Sequence, residues 1–230
     1  MTDIRQVAAI GAGRMGRGIA QVFAYAGYRV TLADAKPRTP DEHAALLTAA
    51  RQEIADNLSM MAELGAFDAG LIDGMLGRIR FTADLADLAE ADLLFEGVTE
   101  TMEAKAQAFT ALSAAARPDA LIASTTSTLP VDALAGFVDR PERFLNAHWL
   151  NPAYLIPLVE ISPGAATSDG TLATVKAVLE DAGKVPVVCA ATPGYIIPRL
   201  QSVAMNEAAR MVAEGVASPE DIDKAIRAGF

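Results

Sequence analysis

The chain has 230 residues, of which 52% are hydrophobic and 21% are charged, so it is large and apolar enough to bury a core. Its net charge of -10 argues against nucleic-acid binding, which requires a basic surface to neutralise phosphates. A single cysteine, Cys189, excludes an internal disulfide and a metal site built from several thiolates. Its neighbours in VPVVCA favour a buried packing role for this cysteine.

The N-terminal residues, MTDIRQVAAIG, lack the basic start, long apolar run and cleavage site of a signal peptide. The longest uncharged stretches of the chain contain prolines, so we expect no bilayer-spanning helix. These features predict a cytoplasmic protein that does not bind membranes.

The N-terminal region has the pattern of strand, glycine-rich turn, helix and strand. QVAAIG is a short apolar run that stops at glycine, as buried parallel strands do. RMGRGIAQVFAYAG predicts a helix that stops at Gly27, and RVTLAD predicts a second strand that ends on Asp34. Such a βαβ unit predicts an α/β protein with a Rossmann-type, mostly parallel sheet.

Further helices and strands alternate along the rest of the chain. Apolar spacing predicts a helix over residues 41–64, and AGLIDGMLGRIRF predicts a shorter helix that runs into a strand. Helices are also predicted over residues 101–116 and over DGTLATVKAVLEDAG. The other predicted strands are ADLLFEGV, ALIASTTS, RFLNAHWL, LVEIS and KVPVVCA.

The character of the sequence changes after Pro193. Two amphipathic helices follow, PRLQSVAMNEAARMVAEG and SPEDIDKAIRAG, the second with Ser218 as N-cap and Pro219 in its first turn. We therefore predict a Rossmann domain over residues 1–192 and, over residues 193–230, the incomplete start of a smaller all-α domain. Two helices cannot bury a core of their own, so they need a partner surface or further residues.

The segment GAGRMG, from Gly11 to Gly16, follows a predicted strand and opens a helix, as a dinucleotide-binding turn requires. Gly11 permits the tight turn, Gly13 lets a pyrophosphate approach the backbone, and Gly16 allows close packing of helix on strand. Asp34 can accept hydrogen bonds from an adenosine ribose and repels a 2′-phosphate, which favours NAD over NADP. Lys36 and Arg38 leave NADP as an alternative, and an ordinary glycine-rich turn is the non-functional interpretation.

Two residues of HWLNPAYLIPLVE suit dehydrogenation of an alcohol. Such a reaction needs a general base, and His148 has a side chain that titrates near neutral pH. A carboxylate on the far ring nitrogen would orient it, and Glu160 could take that place. From the spacing alone, a structural buried pair is the alternative. We expect His43, the other histidine, to be solvated, and ASTTSTLP offers hydroxyl groups at a strand end, where a local cap is the ordinary interpretation.

These motifs, taken in order, resemble the L-3-hydroxyacyl-CoA dehydrogenase family over nearly the whole chain. GAGRMGRGIA resembles its extended fingerprint, which adds Arg14 and Met15 to the predicted cofactor site. ADLLFEGVTETMEAK resembles its next signature and implies that Glu100 and Lys105 lie near the cofactor. ASTTSTLP and HWLNPAYLIPLVE resemble its catalytic segments. The resemblance implies these three roles: Ser127 holds the substrate oxygen, His148 is the acid/base, and Glu160 orients it.

The chain departs from the family pattern in two places. Pro198 stands where the family usually has an asparagine that donates to the substrate carbonyl, and proline has no side-chain donor. Met-Ala-Glu-Leu at residues 61–64 replaces the lysine cluster that meets CoA phosphates in CoA-using relatives. NPAYLIPLVE and AEGVASPEDID look more like the branch that holds L-gulonate 3-dehydrogenase, lambda-crystallin and carnitine dehydrogenase, which take free hydroxy acids or serve as structural proteins.

The resemblance implies an NAD-dependent enzyme that oxidises a 3-hydroxyacyl-CoA or a free 3-hydroxy acid without a metal ion. It also implies a homodimer through the C-terminal helices. Two alternatives are an NAD(H)-binding protein with little catalysis, like a crystallin, and an enzyme that oxidises a hydrated aldehyde with the same base.

Overall fold

The computed structural model describes residues 4–229, and the chain divides into two compact units, Met1–Pro193 and Gly194–Phe230. The predicted α/β class is confirmed, because the first unit is built on one sheet of eight strands. The strands are β1 (Gln6–Ile10), β2 (Arg29–Ala33), β3 (Ile79–Thr82), β4 (Leu93–Glu96), β5 (Leu121–Ser124), β6 (Phe144–Trp149), β7 (Leu158–Pro163) and β8 (Val185–Val188).

The strand order is β3-β2-β1-β4-β5-β6-β7-β8. Each neighbouring pair is parallel except β6 and β7, which are antiparallel. The order reverses between β1 and β4, and ligands of open α/β sheets bind beside the carboxyl ends of strands at such a point. The segments that follow β1, β4 and β5 therefore share one edge of the sheet with the carboxyl end of β6.

Among residues 4–229, six α-helices belong to the first unit and two to the second. They are α1 (Arg14–Tyr25), α2 (Pro40–Glu63), α3 (Ile72–Gly77), α4 (Met102–Ala115), α5 (Val131–Ala135) and α6 (Asp169–Asp181), then α7 (Ile197–Ala213) and α8 (Pro219–Gly229). Helix α5 and short 3₁₀ turns at residues 69–71, 85–90 and 141–143 were not predicted, because segments this short carry little periodicity.

The sheet of the first unit is covered on both faces. Because successive side chains of a strand point to opposite faces, Val7 and Ala9 pack into one apolar cluster and Ala8 and Ile10 into the other. Trp149 belongs to the first cluster, is 2% exposed, and meets the ring of Phe95 edge to face at 5.5 Å. This packing fixes the β6 backbone next to His148.

Strand β8 forms an edge of the sheet and is incompletely covered. Val185 and Val188 are 54% and 45% exposed, and Cys189 is only half-buried, so the prediction of a buried packing cysteine was wrong. The reason is that an edge strand has one side without a neighbouring strand. Burial and then the negative charge of Glu160 raise the pKa of the Cys189 thiol.

The second unit consists of α7 and α8, which enclose an apolar groove of about 330 Å³. Helix α7 has no buried residue, and Leu200, Val203 and Met205 are all more than 60% exposed. Among residues 4–229, no helix combines the length and the apolar character needed to cross a membrane.

Candidate active site

The turn after β1 has the geometry that the glycine pattern predicts. Gly11 has φ of +97°, and a Cβ there would lie 2.7 Å from the carbonyl oxygen of Gly97. A Cβ on Gly16 would lie 2.0 Å from the carbonyl oxygen of Gly11, so helix α1 packs closely on the turn. A Cβ on Gly13 would meet nothing within 4 Å. Gly11 and Gly16 are thus required by packing, whereas Gly13 borders open space.

That open space is a cavity of about 610 Å³ in the first unit. Gly11, Gly13 and Asp34 line it, together with Gly97 and Thr99 after β4. The N-terminus of α1 has no side-chain cap, so its first N–H groups suit an anion such as a pyrophosphate. The structure therefore fits a dinucleotide here. Arg14 and Met15 form the first turn of α1, directly after Gly13, but neither is among the residues that line the cavity.

Asp34 lines this cavity, is 4% exposed and lies directly after β2. Its Oδ2 atom accepts from Arg38 Nε at 2.7 Å and lies 3.0 Å from Nδ1 of His43. The prediction of a solvated His43 was therefore wrong, since its side chain is only 19% exposed. The first turn of α2 carries His43 back onto the strand end, a contact that no local pattern indicates.

His148 and Glu160 form a buried pair. They face each other in the register of antiparallel β6 and β7, and Nδ1 of His148 lies 2.8 Å from Oε2 of Glu160. The two residues are 4% and 0% exposed. A carboxylate at Nδ1 favours the tautomer with its proton on that atom, and in this tautomer Nε2 is the ring nitrogen that can accept a proton.

The turn between β6 and β7 is held from two sides. Lys184 donates to the carbonyl oxygens of Ala153 and Ile156 at 2.5 and 3.1 Å, and burial lowers the pKa of Lys184. A Cβ on Gly18 would lie 2.9 Å from the Cβ of Ala153, so α1 packs closely on the same turn. These contacts fix the connection that sets the strand register of His148 and Glu160.

Ser127 is exposed and lies in the loop after β5, at the same edge of the sheet. The carboxylate of Glu100 organises this loop: its Oε1 accepts from the N–H groups of Ser127 at 2.9 Å and Thr128 at 3.1 Å, and from the hydroxyl of Thr126. Burial opposes ionisation of Glu100, but the bond from Thr126, the charge of Lys105 and the two N–H groups together hold its pKa below the usual value.

Lys105 lies in the first turns of α4 and is 1% exposed. Its Nζ donates to both carboxylate oxygens of Glu96, at 2.9 and 3.0 Å, and lies 3.3 Å from Oε2 of Glu100. Lys105 is therefore buried behind the loops that follow β4 and β5. Glu100 lies in the loop after β4, at the edge of the sheet where these strands end.

Two family models match the chain. The model described as the 3-hydroxyacyl-CoA dehydrogenase NAD binding domain matches residues 6–192, and the model of the C-terminal domain of the same enzymes matches residues 194–230. The chain belongs to the 3-hydroxyacyl-CoA dehydrogenase family. The first model and the fit of the cavity identify NAD as the cofactor, and members of this family are oxidoreductases.

Similar proteins agree with this assignment. The probable 3-hydroxybutyryl-CoA dehydrogenase of Deinococcus radiodurans is 39% identical over 222 residues, which cover 96% of this chain and 77% of that protein. The crystal structure of M. tuberculosis FadB2 superimposes with a TM-score of 0.89 at 35% identity, covering 98% of this chain and 78% of that one. The 5-formyl-3-hydroxy-2-methylpyridine 4-carboxylate 5-dehydrogenase of Mesorhizobium japonicum is 32% identical, over 99% of this chain and 71% of that protein.

Some residues that hold the site residues in place were not predicted from the sequence. Glu96 carried a signal, because a carboxylate inside the apolar run LLFEG needs a buried partner. Lys184 carried none, since it is a common charged residue beside a strand. Arg38 was considered only as an opening for NADP, and its ion pair with Asp34 was not predicted. The likeness to the L-gulonate 3-dehydrogenase branch is not tested by these comparisons and stays a prediction.

Proposed function

We propose that this family member is an NAD-dependent dehydrogenase that oxidises the 3-hydroxyl group of a 3-hydroxyacyl-CoA or a free 3-hydroxy acid, with His148 as general base. The observation that carries the proposal is the buried contact of 2.8 Å between His148 and Glu160 at the carboxyl end of β6. The glycine-rich turn lies at the same edge, so a bound cofactor and this histidine can meet one substrate.

The chemistry assigns one task to each residue. His148 takes the hydroxyl proton at Nε2, Glu160 stabilises the resulting imidazolium at Nδ1, and the Ser127 hydroxyl holds the reacting oxygen. The C–H bond on the same carbon breaks as the C=O bond forms, so the substrate loses a hydride and a proton. NAD, when bound, accepts the hydride.

The proposed cofactor contacts divide along the cavity. Gly11, Gly13 and Gly16, with Arg14 and Met15, hold the pyrophosphate at the start of α1; Asp34 takes the adenosine ribose. Glu100 and Lys105 lie near the nicotinamide end, where the loop that carries Ser127 lies, with Lys105 buried behind Glu100. Among these, Asp34 is supported most directly, because it lines the cavity and Arg38 holds its carboxylate.

The nature of the substrate is the open part of the proposal. Names of relatives favour a CoA thioester, whereas the end of α2 offers no lysine to CoA phosphates and exposes 79% of Leu64.

A second candidate is oxidation of a hydrated aldehyde by the same base, favoured by the similarity to a dehydrogenase named for a 5-formyl substrate. Pro198, which lacks the amide donor usual at its position, favours a binding protein with little catalysis.

We further propose a cytoplasmic homodimer that associates through the second unit. The apolar side chains exposed on α7 support this, since a helix with no buried residue needs a covering surface.

The experiment is a panel of one thioester, several free hydroxy acids and an aldehyde, in which NADH formation is followed by absorbance, beside a binding titration with NADH. We expect turnover of 3-hydroxybutyryl-CoA or of one free acid among 3-hydroxybutyrate, L-gulonate and carnitine. Turnover of the thioester alone would mean that the protein recognises CoA. Turnover of a free acid alone would assign the protein to the branch that takes free hydroxy acids. Tight NADH binding with turnover of an aldehyde only, or of nothing in the panel, would contradict the proposal.

A further inference from the structure

Glu96 is a charged side chain at the carboxyl end of β4 with no exposed surface. A buried carboxylate is costly unless it is paired and fully hydrogen-bonded. Here Lys105 donates to both of its oxygens, the Ser124 hydroxyl donates to Oε2 at 2.7 Å, and the N–H of Val98 donates to Oε1 at 2.7 Å. Glu96 thus ties the ends of β4 and β5 to helix α4.

Lys105 is fully used by carboxylates. An ammonium group has three N–H donors. Three carboxylate oxygens surround the Nζ of Lys105: both oxygens of Glu96, at 2.9 and 3.0 Å, and Oε2 of Glu100 at 3.3 Å. With its side chain 1% exposed, this lysine hydrogen-bonds to Glu96 and shares its charge between Glu96 and Glu100.

Glu100 divides its two oxygens between different tasks. Oε2 faces Lys105, whereas Oε1 accepts from the Thr126 hydroxyl, the Ser127 N–H and both the N–H and the hydroxyl of Thr128. Every donor on Oε1 belongs to three successive residues of the loop after β5. The position of Glu100 therefore sets the position of the Ser127 backbone.

We propose that Glu96 and Lys105 are positioning residues, which act through Glu100 to hold the loop that carries Ser127. The chain of contacts is continuous: Glu96 anchors Lys105, Lys105 anchors Glu100, and Glu100 receives the loop N–H groups. This inference rests on the proposed function in one respect, the contact between Ser127 and the substrate oxygen. It assigns Lys105 an effect on turnover through the loop rather than through a contact with the cofactor.

The direct test is hydrogen–deuterium exchange of the full chain, read at the Ser127 and Thr128 amides. Lys105→Met removes the cation. The double variant, Glu96→Gln with Lys105→Met, removes both charges of the buried pair, so that no unpaired charge remains at position 96. Lys176→Met is the matched control, because Lys176 pairs with Glu180 across an exposed helix face at 3.8 Å. We expect exchange at the two amides to rise about tenfold or more in both Lys105 variants and to stay unchanged in the control.

The second readout is kinetic and separates positioning from cofactor contact. We expect kcat to fall about tenfold in the double variant while KM for NAD changes less than about threefold. In a Ser127→Ala background the same two substitutions should cost little more, because the loop no longer presents the hydroxyl.

Two results overturn the inference: unchanged protection of the two amides in both Lys105 variants, or a selective loss of NADH affinity with the amides still protected. Failure of the proposed function has a different signature. If Ser127→Ala alone leaves kcat unchanged, Ser127 has lost its role in turnover, and the exchange result still decides whether Lys105 positions the loop.

Discussion

The two ends of the binding edge are built in different ways. The proposed adenosine end takes its glycine turn and its charged side chains, Asp34, Arg38 and His43, from one stretch of the chain before the middle of α2, and residues 97–111 complete the cavity wall. The proposed reacting end is assembled from three distant segments, which contribute Glu100, Ser127 and the pair of His148 and Glu160. The glycines and charged groups of the first end are thus local in sequence, whereas the second end exists only in the folded sheet.

Because the two ends use different residues, we expect cofactor binding and the chemical step to depend on different side chains. Substitutions at the local end should change the affinity for NAD and leave the rate of the chemical step alone. Substitutions at the assembled end should do the opposite. The measurements below test whether NAD affinity and the rate of the chemical step respond to different substitutions.

The largest effect is expected at His148, and the chain provides its own control in His43. Because a general base contributes about 10²–10⁴-fold to rate, His148→Asn should lower kcat by about a thousandfold with NADH affinity unchanged. His43→Asn alters the support of Asp34, so it should raise KM for NAD a few-fold and spare kcat. Steady-state kinetics and NADH titration of both variants measure this. Equal losses of kcat in the two variants would contradict the separation.

An intermediate effect is expected at two glycines of the cofactor turn. Gly13 has φ of -85°, and a Cβ there meets no protein atom within 4 Å, so Gly13→Val should fold normally but weaken NADH binding about tenfold or more. A Cβ on Gly16 would lie 2.0 Å from the carbonyl oxygen of Gly11, so Gly16→Ala should lower the free energy of unfolding by about 1–3 kcal/mol.

Thermal unfolding and NADH titration distinguish the two glycines. The account predicts a normal Tm with weak binding for Gly13→Val and a lowered Tm for Gly16→Ala. Normal NADH affinity in Gly13→Val would show that the pyrophosphate does not approach this turn.

The smallest expected effect is a pH dependence of the stability that Glu100 contributes. Its pKa in the folded protein is lowered, so its contribution to stability is fully present above the unfolded value of about 4.3. That contribution is lost as the pH falls through the folded pKa. Glu100→Gln should therefore be less stable than the parent near neutral pH, with the difference shrinking in acid. Denaturant unfolding at several pH values checks this, and a difference independent of pH would contradict it.

Much of the fold could be predicted because its signals are local. QVAAIG, the glycines and Asp34 define the first βαβ unit within one stretch, and the alternation that follows indicates a mostly parallel sheet. Strand order is not local, and the antiparallel entry of β7 beside β6 became visible only in the sheet.

The site divides along the same line. The motifs indicated Asp34 and the pair of His148 and Glu160, but several contacts that support the site come from elsewhere in the chain. His43 returns to Asp34 across a turn, Lys184 reaches the β6–β7 connection, and Glu96 stands beneath the Ser127 loop. Such contacts depend on which elements become neighbours, which the residue pattern of any single element does not encode.

The most direct test of the central claim uses the substrate that turns over in the panel, with deuterium on the carbon that bears the hydroxyl group. The NADH formed is then analysed by mass spectrometry, in the wild-type protein and in His148→Asn. The account predicts that NADH carries the deuterium of that carbon and that His148→Asn forms almost none. NADH without deuterium, or undiminished transfer in His148→Asn, would contradict a hydride transfer that depends on this histidine.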